Sequence, residues 1–192
     1  MSEKIKVAVL VSGGGTNLQA LIDKEADGQI PDAHIVKVIA SREDAFALER
    51  AAKAGIETAV AKEPQQVMEE LQKSGADMIV LAGYMKVLPK EIIERYRNKI
   101  INIHPSLIPK YCGKGFYGKR VHKAVLEGGE KESGATVHFV DEGMDSGPIL
   151  LQKAVEVKEG DTPEILQRRV MEQAEWKLLP QAAQMIAKEL SI

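Results

Sequence analysis

Two segments far apart in the chain carry side chains able to bind a developing negative charge and to move a proton. The first is Ile100-Ile101-Asn102-Ile103-His104-Pro105-Ser106-Leu107. Asn102 and His104 stand two residues apart at the end of an apolar run that reads as a strand. In a regular strand that spacing puts both side chains on one face and turns Ile101 and Ile103 the other way, into packing. An amide donor beside an imidazole suits a reaction in which an oxyanion forms and a proton must be relayed. A strand-end Asn and His satisfied by neighbouring loop backbone is the competing reading of the same pair. The second segment, Val140-Asp141-Glu142-Gly143-Met144-Asp145-Ser146-Gly147-Pro148, holds three acids in a glycine-punctuated loop. It lacks the spacing and terminal Glu of an EF-hand. A carboxylate from this loop folded onto His104 would stabilise its imidazolium and raise its pKa; a solvated turn would do neither.

A third segment suits anion binding. Ser12-Gly13-Gly14-Gly15-Thr16-Asn17 lies between an apolar run and residues of helical spacing. Successive glycines let backbone N–H groups approach an anion, and a following helix N-terminus favours negative charge. No Lys-Ser/Thr follows to complete a Walker A motif. Leu18 stands where a third glycine would complete a dinucleotide fingerprint. A tight strand-to-helix turn without a ligand needs the same glycines.

The elements around these segments alternate. Strands are predicted at 5–11, 34–40, 56–60, 77–82 and 100–103, with helices at 45–54, 65–73 and 89–97 between them. That order implies right-handed βαβ units in a doubly wound, Rossmann-like, mostly parallel α/β sheet. After His104 the texture changes to a Pro- and Gly-rich loop, a helix at 121–126, strands at 135–140 and 149–157, and a long final helix from Thr162 to Glu189, bent or interrupted at Pro180. The expected architecture is a single domain over 1–192, with a nucleotide-binding-like half at 1–103, a catalytic-loop half at 104–192, a C-terminal antiparallel extension and a long last helix.

Composition narrows the partners. With 192 residues, 28 acidic against 26 basic side chains give a net charge of -2, so no global positive field points to nucleic acid or an anionic membrane. Aromatics at 4% are too few for a base-stacking platform. A lone Cys112 cannot form an internal disulfide, as in a reducing cytoplasm. No apolar run reaches the ~18 residues of a membrane span. No close His spacing suggests a metal site.

Taken together the segments resemble the folate-dependent phosphoribosylglycinamide formyltransferases. The resemblance rests on S-G-G-G-T-N at 12–17, L-A-G-Y-M-K-V-L at 81–88, I-N-I-H-P-S-L-I-P at 101–109, G-A-T-V-H-F-V-D-E-G-M-D-S-G-P-I at 134–149 and R-V-M-E-Q-A-E-W-K-L-L-P at 169–180, in that order and over nearly the whole chain. It implies transfer of the formyl group of 10-formyltetrahydrofolate, a co-substrate, to the amine of 5'-phosphoribosylglycinamide in purine synthesis, in the cytoplasm and without a metal. It implies Asn102, His104 and Asp145 as the catalytic trio. Gly15, Thr16 and Asn17 would hold the phosphoribosyl group and Glu175 the glycinamide amine. Met85, Lys86, Val87, Leu88, Asn102, Asp141, Glu142, Gly143 and Met144 would line the folate pocket, with Val87, Leu88, Ile92 and Ile93 as apolar walls or as plain core. The partners would be small molecules only, and the chain a monomer or weak homodimer. Its length leaves no room for the extra C-terminal domain of methionyl-tRNA formyltransferases.

The chain departs from the family at two places. Residues 56–77 are short, leaving Lys62 as the candidate for the folate tail. The loop 111–121 is longer and carries Lys114, Lys119 and Arg120, which reads first as a solvated, mobile basic loop and second as a phosphate or polyglutamate contact. His122 is a candidate at the substrate phosphate. His138 reads as a structural strand residue and Trp176 as packing.

Overall fold

The run Ile5–Val11 (β1) is aliphatic at nearly every position, as a strand covered on both sides must be. Its alternate residues divide between two cores. Val7, Val9 and Val11 pack on one side of the sheet with Leu18, Leu21, Leu179 and Ala183, while Ala8 and Leu10 face Val67, Leu71, Ile92 and Ile93 on the other. The computed structural model describes residues 3–192.

The elements follow the expected order: α1 (Thr16–Ala26), β2 (Ala33–Ala40), α2 (Ala47–Lys53), β3 (Glu57–Val60), α3 (Pro64–Ser74), β4 (Met78–Leu81), α4 (Lys90–Arg95), β5 (Ile100–His104), α5 (Lys119–Glu127), β6 (Glu132–Phe139), β7 (Ile149–Glu156), α6 (Pro163–Val170) and α7 (Trp176–Leu190). Local signals explain the borders. At the start of α3, Glu63 and Gln66 form a reciprocal capping box, Pro64 occupies the first turn, and Gly75 ends the helix at φ 62°. Thr162 caps α6 by accepting from the Ile165 N–H at 3.2 Å.

All seven strands join one sheet in the order β3-β2-β1-β4-β5-β6-β7. The first five are parallel; β6 pairs antiparallel with β5, and β7 with β6. This is the mostly parallel, doubly wound sheet with an antiparallel extension read from the sequence. β1 lies between β2 and β4, so the chain order reverses there. Ligands of open α/β sheets settle at such a reversal, beyond the carboxyl ends of the strands. The glycine turn after β1 and the Met85 segment after β4 flank this crevice, joined by the Met85 N–H donating to Ser12 Oγ at 2.9 Å.

The last helix differs from expectation. It is interrupted not at Pro180 but by a π-helical turn at Met171–Glu175, and Pro180 lies inside α7. Proline has no N–H to give and its ring crowds the carbonyl one turn back, so the irregularity falls upstream of it. Such wide turns recur at functional sites, and this one ends on Glu175. Among the described residues no helix is long and apolar enough to cross a membrane.

Candidate active site

β5 ends at the crevice with the predicted orientation. Ile101 and Ile103 enter the core, and Asn102 and His104 take the opposite face. The antiparallel register sets Asn102 directly across from His138 on β6, and His104 from Thr136. Asn102 Nδ2 lies 3.1 Å from His138 Nε2. His138 Nδ1 sits 2.8 Å from the Phe139 carbonyl, which can only accept, so Nδ1 carries a proton and Nε2 faces the Asn102 amide. Asp145 closes the cluster from the loop between β6 and β7. Its carboxylate is 3.7 Å from His104 Nδ1 and 3.6 Å from His138 Nε2, and it accepts the Gly113 N–H at 2.9 Å. Asp145 holds φ at 53°, a left-handed conformation that a non-glycine residue keeps only under constraint.

His104 departs from the electrostatic expectation. Burial pushes its pKa down, and the pull of the Tyr111 carbonyl and of Asp145 in the other direction does not offset it; His138 adds to the lowering. The carboxylate is there, but its 3.7 Å approach is too long for a hydrogen bond. Asp145 itself is pulled up by burial, yet His138, the Gly113 N–H and His104 together hold it below the usual carboxylate range. The result is a neutral imidazole beside an ionised carboxylate at pH 7. His104 Nε2 donates to the Tyr111 carbonyl at 2.9 Å, so the Nδ1 lone pair is the one able to take a proton.

Three side chains gain or change their place. His138, read as structural, is instead a member of the cluster. Tyr111 belongs to the loop expected to be solvated. It holds φ at 50°, packs its ring edge-on against Phe116 at 6.0 Å and caps His104 with its carbonyl. His122 does not reach the glycine turn. It is fully buried on α5 with both ring nitrogens unpartnered, and burial together with the His104 charge lowers its pKa to about 4.

At the glycine turn, Gly15 precedes α1 at φ 75°, and a Cβ there would fall 2.6 Å from Ala47 Cβ. Only glycine fits so close an approach. The N–H groups of Gly14, Gly15, Thr16 and Asn17 have no protein acceptor among the described residues. Asn17 Nδ2 donates to Glu175 Oε1 at 3.2 Å across 158 residues of sequence, while Asn17 Oδ1 is buried without a partner. Glu175 is 5% exposed, and burial raises its pKa to about 7 against the opposing Asn17 bond. The two residues expected at opposite ends of one substrate are thus in contact.

The segments expected around the folate divide. Met85, Val87 and Met144 are exposed large apolar side chains, whereas Leu88, Ile92 and Ile93 are core. Lys86 Nζ donates to the Lys62 carbonyl, and Lys62 Nζ pairs with Glu43 at 2.7 Å. Glu142 is engaged by Arg97 and points its charge there. Asp141 accepts from the Gly143 N–H at 2.9 Å and from Ser146 Oγ at 2.7 Å, which shapes the loop carrying Asp145. Among the described residues no group of His, Cys, Asp and Glu is arranged to hold a metal ion.

This sheet, with its Asn-His-Asp cluster at the end of β5, is that of a formyl transferase: the family model for formyl transferases matches residues 5–183, and the chain belongs to that family. More particularly, it is 41% identical over 194 residues to the chloroplastic phosphoribosylglycinamide formyltransferase of Arabidopsis thaliana, covering 96% of this chain and 66% of that protein. It is 42% identical to the phosphoribosylglycinamide formyltransferase of Haemophilus influenzae, covering 91% of this chain and 84% of the relative. In the trifunctional purine biosynthetic protein adenosine-3 of Bos taurus the match spans only 18% of the relative's length. Among solved structures, glycinamide ribonucleotide transformylase 1 of Symbiobacterium toebii superposes with a TM-score of 0.90 at 39% identity over 97% of this chain and 89% of that one.

Proposed function

We propose that the chain transfers the formyl group of 10-formyltetrahydrofolate to the amine of 5'-phosphoribosylglycinamide, giving the N-formyl product and tetrahydrofolate. The observation that carries this reading is the register of β5 on β6. It gathers the Asn102 amide, the His104 and His138 imidazoles and the Asp145 carboxylate at the carboxyl end of β5, the edge of the sheet at which β1 runs into the anion turn.

In this reading the amine lone pair attacks the formyl carbon and the C=O electrons move onto oxygen. Asn102 donates to that oxyanion, an interaction whose loss typically costs about 10²–10³ in rate. Neutral His104 takes the proton the amine sheds. The imidazolium so formed sits beside both the oxyanion and Asp145, which favour it. When the tetrahedral centre collapses, the C–N bond to the folate breaks, and the departing nitrogen takes its electron pair and the proton from His104. Atoms and charge balance, and the protein ends as it began.

The rest of the site supplies positions. Gly15, Thr16 and Asn17 bind the phosphoribosyl group, and Glu175 receives the amine. Exposed Met85, Val87 and Met144 cover the folate heterocycle, with Lys86, Leu88, Asp141, Glu142 and Gly143 shaping the loops that carry them. Residues 1–103 thus serve mainly the phosphorylated substrate, and 104–192 mainly folate binding and the chemistry. The chain works in the cytosol as a monomer or weak homodimer, without a metal.

Hydrolysis of the formyl folate is the second reading. It is favoured by a TM-score of 0.87 at 26% identity to a formyltetrahydrofolate deformylase of Pseudomonas syringae, of which this chain covers 62% of the length. An absorbance assay of a 10-formyl folate, with and without the amine substrate, separates the two. Turnover that requires the amine supports transfer, turnover indifferent to it means hydrolysis, and no turnover by folded protein refutes both.

A further inference from the structure

The anion turn is bolted to the helix beside it, and the bolts decide where its N–H groups point. The Gly13 carbonyl accepts the Ala47 N–H at 3.1 Å. One turn along α2, Arg50 Nε donates to the Gly14 carbonyl at 2.7 Å, and Arg50 Nη1 donates to Gln19 Oε1 on α1 at 3.3 Å. The guanidinium also lies 5.1 Å from the centre of the Phe46 ring, which limits its freedom. In a trans peptide the C=O of one residue and the N–H of the next point in opposite directions. Holding the carbonyls of Gly13 and Gly14 toward α2 therefore turns the N–H groups of Gly14 and Gly15 away from it. These are two of the four N–H groups that lack a protein acceptor. Glycines have no side chain to fix their own peptide planes, so three in succession need such an external hold to be ordered before a ligand arrives.

We propose that Arg50 is a positioning residue for the phosphate end of the substrate. It locks the Gly14–Gly15 peptide with its N–H toward the phosphate and places a permanent positive charge beside the turn. The charge matters because the chain as a whole is slightly acidic, and Arg50 is the one cationic side chain bonded to the turn among the described residues. The inference rests on the substrate reading above for the identity of the anion, though not for the role of Arg50 in holding the turn.

The test compares wild type, Arg50→Met and Arg50→Lys. Lys keeps the charge but cannot span Gly14 and Gln19 with a planar fork. Losing a charge-assisted hold of this kind should raise KM for 5'-phosphoribosylglycinamide about 10- to 100-fold in Arg50→Met. Its kcat and its KM for the formyl folate should stay within about threefold of wild type, and Arg50→Lys should fall in between. With the phosphate-free glycinamide ribonucleoside, wild type and variants should converge, which no general structural defect would produce. Equal damage on both substrates, or a fall in kcat at unchanged KM, overturns the proposal. Binding of inorganic phosphate, followed by ³¹P NMR, gives a readout independent of catalysis. Wild type that binds phosphate no better than Arg50→Met sinks the Arg50 role even if formyl transfer is robust. Phosphate binding that depends on Arg50 in a protein that transfers no formyl group leaves this inference standing and removes the substrate reading instead. Circular dichroism of both variants checks folding; if Arg50→Met fails to fold, Arg50→Lys carries the same comparison.

Discussion

Replacing Glu175 by Gln should make the protein more stable and less able to bind its amine substrate. The carboxyl is 5% exposed, with the Asn17 amide as its one side-chain hydrogen-bond partner, and its pKa rises from 4.5 to about 7 because burial disfavours the charged form. Below pH 4.5 the group is protonated in both folded and unfolded chains and costs nothing. Between 4.5 and about 7 the unfolded chain ionises while the folded one does not, so stability falls as pH rises. About 2.5 units at 1.36 kcal/mol each make a loss of about 3 kcal/mol, complete above pH 7. Gln has nearly the same shape, keeps an oxygen for Asn17 Nδ2 and carries no titration. Wild type and Glu175→Gln should therefore unfold alike near pH 4. They should separate progressively to about 3 kcal/mol at pH 8, on the order of 6–12 °C in Tm for a chain of this size. Urea unfolding at pH steps from 4 to 8.5, followed by circular dichroism, reads the difference directly. A stability gap that does not change with pH would refute the reasoning. The functional half follows from the same charge: an ammonium arriving beside Glu175 lowers its pKa, so binding expels a proton near pH 7. Calorimetry in buffers of different ionisation enthalpy should show that release in wild type and not in the variant.

Four further outcomes are expected. Asp145→Asn should lower the His104 pKa further and cut kcat while leaving the fold intact; an NMR titration with an unchanged imidazole pKa would defeat that role. His138→Ala removes the acceptor of the Asn102 amide and should cut kcat by about 10- to 100-fold, as displacing an oxyanion donor does, with KM for the phosphorylated substrate little moved. Gly15→Ala meets both φ 75° and an atom 2.6 Å from the new Cβ, so it should lose at least the ~1–2 kcal/mol of a left-handed non-glycine residue and weaken phosphate binding. His122→Leu removes a group whose pKa falls from 6.5 to about 4, so the variant should gain stability relative to wild type as pH falls from 6.5 to 4.5, measured by the same urea series.

What could be read from the sequence was whatever is local or periodic. The strand at Ile5–Val11, the face shared by Asn102 and His104, and the closure of α3 at Gly75 each follow from neighbours a few residues away. The resemblance assigned Asn17 and Glu175 to different groups of one substrate, but neither it nor any spacing gave their direct contact across 158 residues. His138 was missed for a definite reason. In an antiparallel pair a residue's partner is set by register, and nothing in T-V-H-F announces that the His lies opposite Asn102 rather than one step along, on the other face. The His104 pKa went the wrong way because a charge pair can be guessed from composition, while burial is a property of everything packed around the group. The loop 111–121 was misjudged for the same reason. Its lysines suggested solvent, but Tyr111 and Phe116 anchor it inward and bring the Tyr111 carbonyl onto the His104 ring.

The two strongest buried perturbations act in opposite senses, and that bears on how a site of this kind is tolerated. Glu175 prefers its proton in the folded chain, and its contribution to stability falls from pH 4.5 to about 7. His122 refuses a proton in the folded chain, and its contribution rises from pH 4 to 6.5. Over the shared window each changes by about 1.36 kcal/mol per pH unit with opposite sign, so they cancel there to first order. The joint contribution of the pair is then flat across a range where either group alone would tilt the profile steeply. A flat profile in wild type is therefore not a sign that nothing titrates. Relative to wild type, stability should rise with pH in Glu175→Gln and fall in His122→Leu, and the double variant should run parallel to wild type at a higher level.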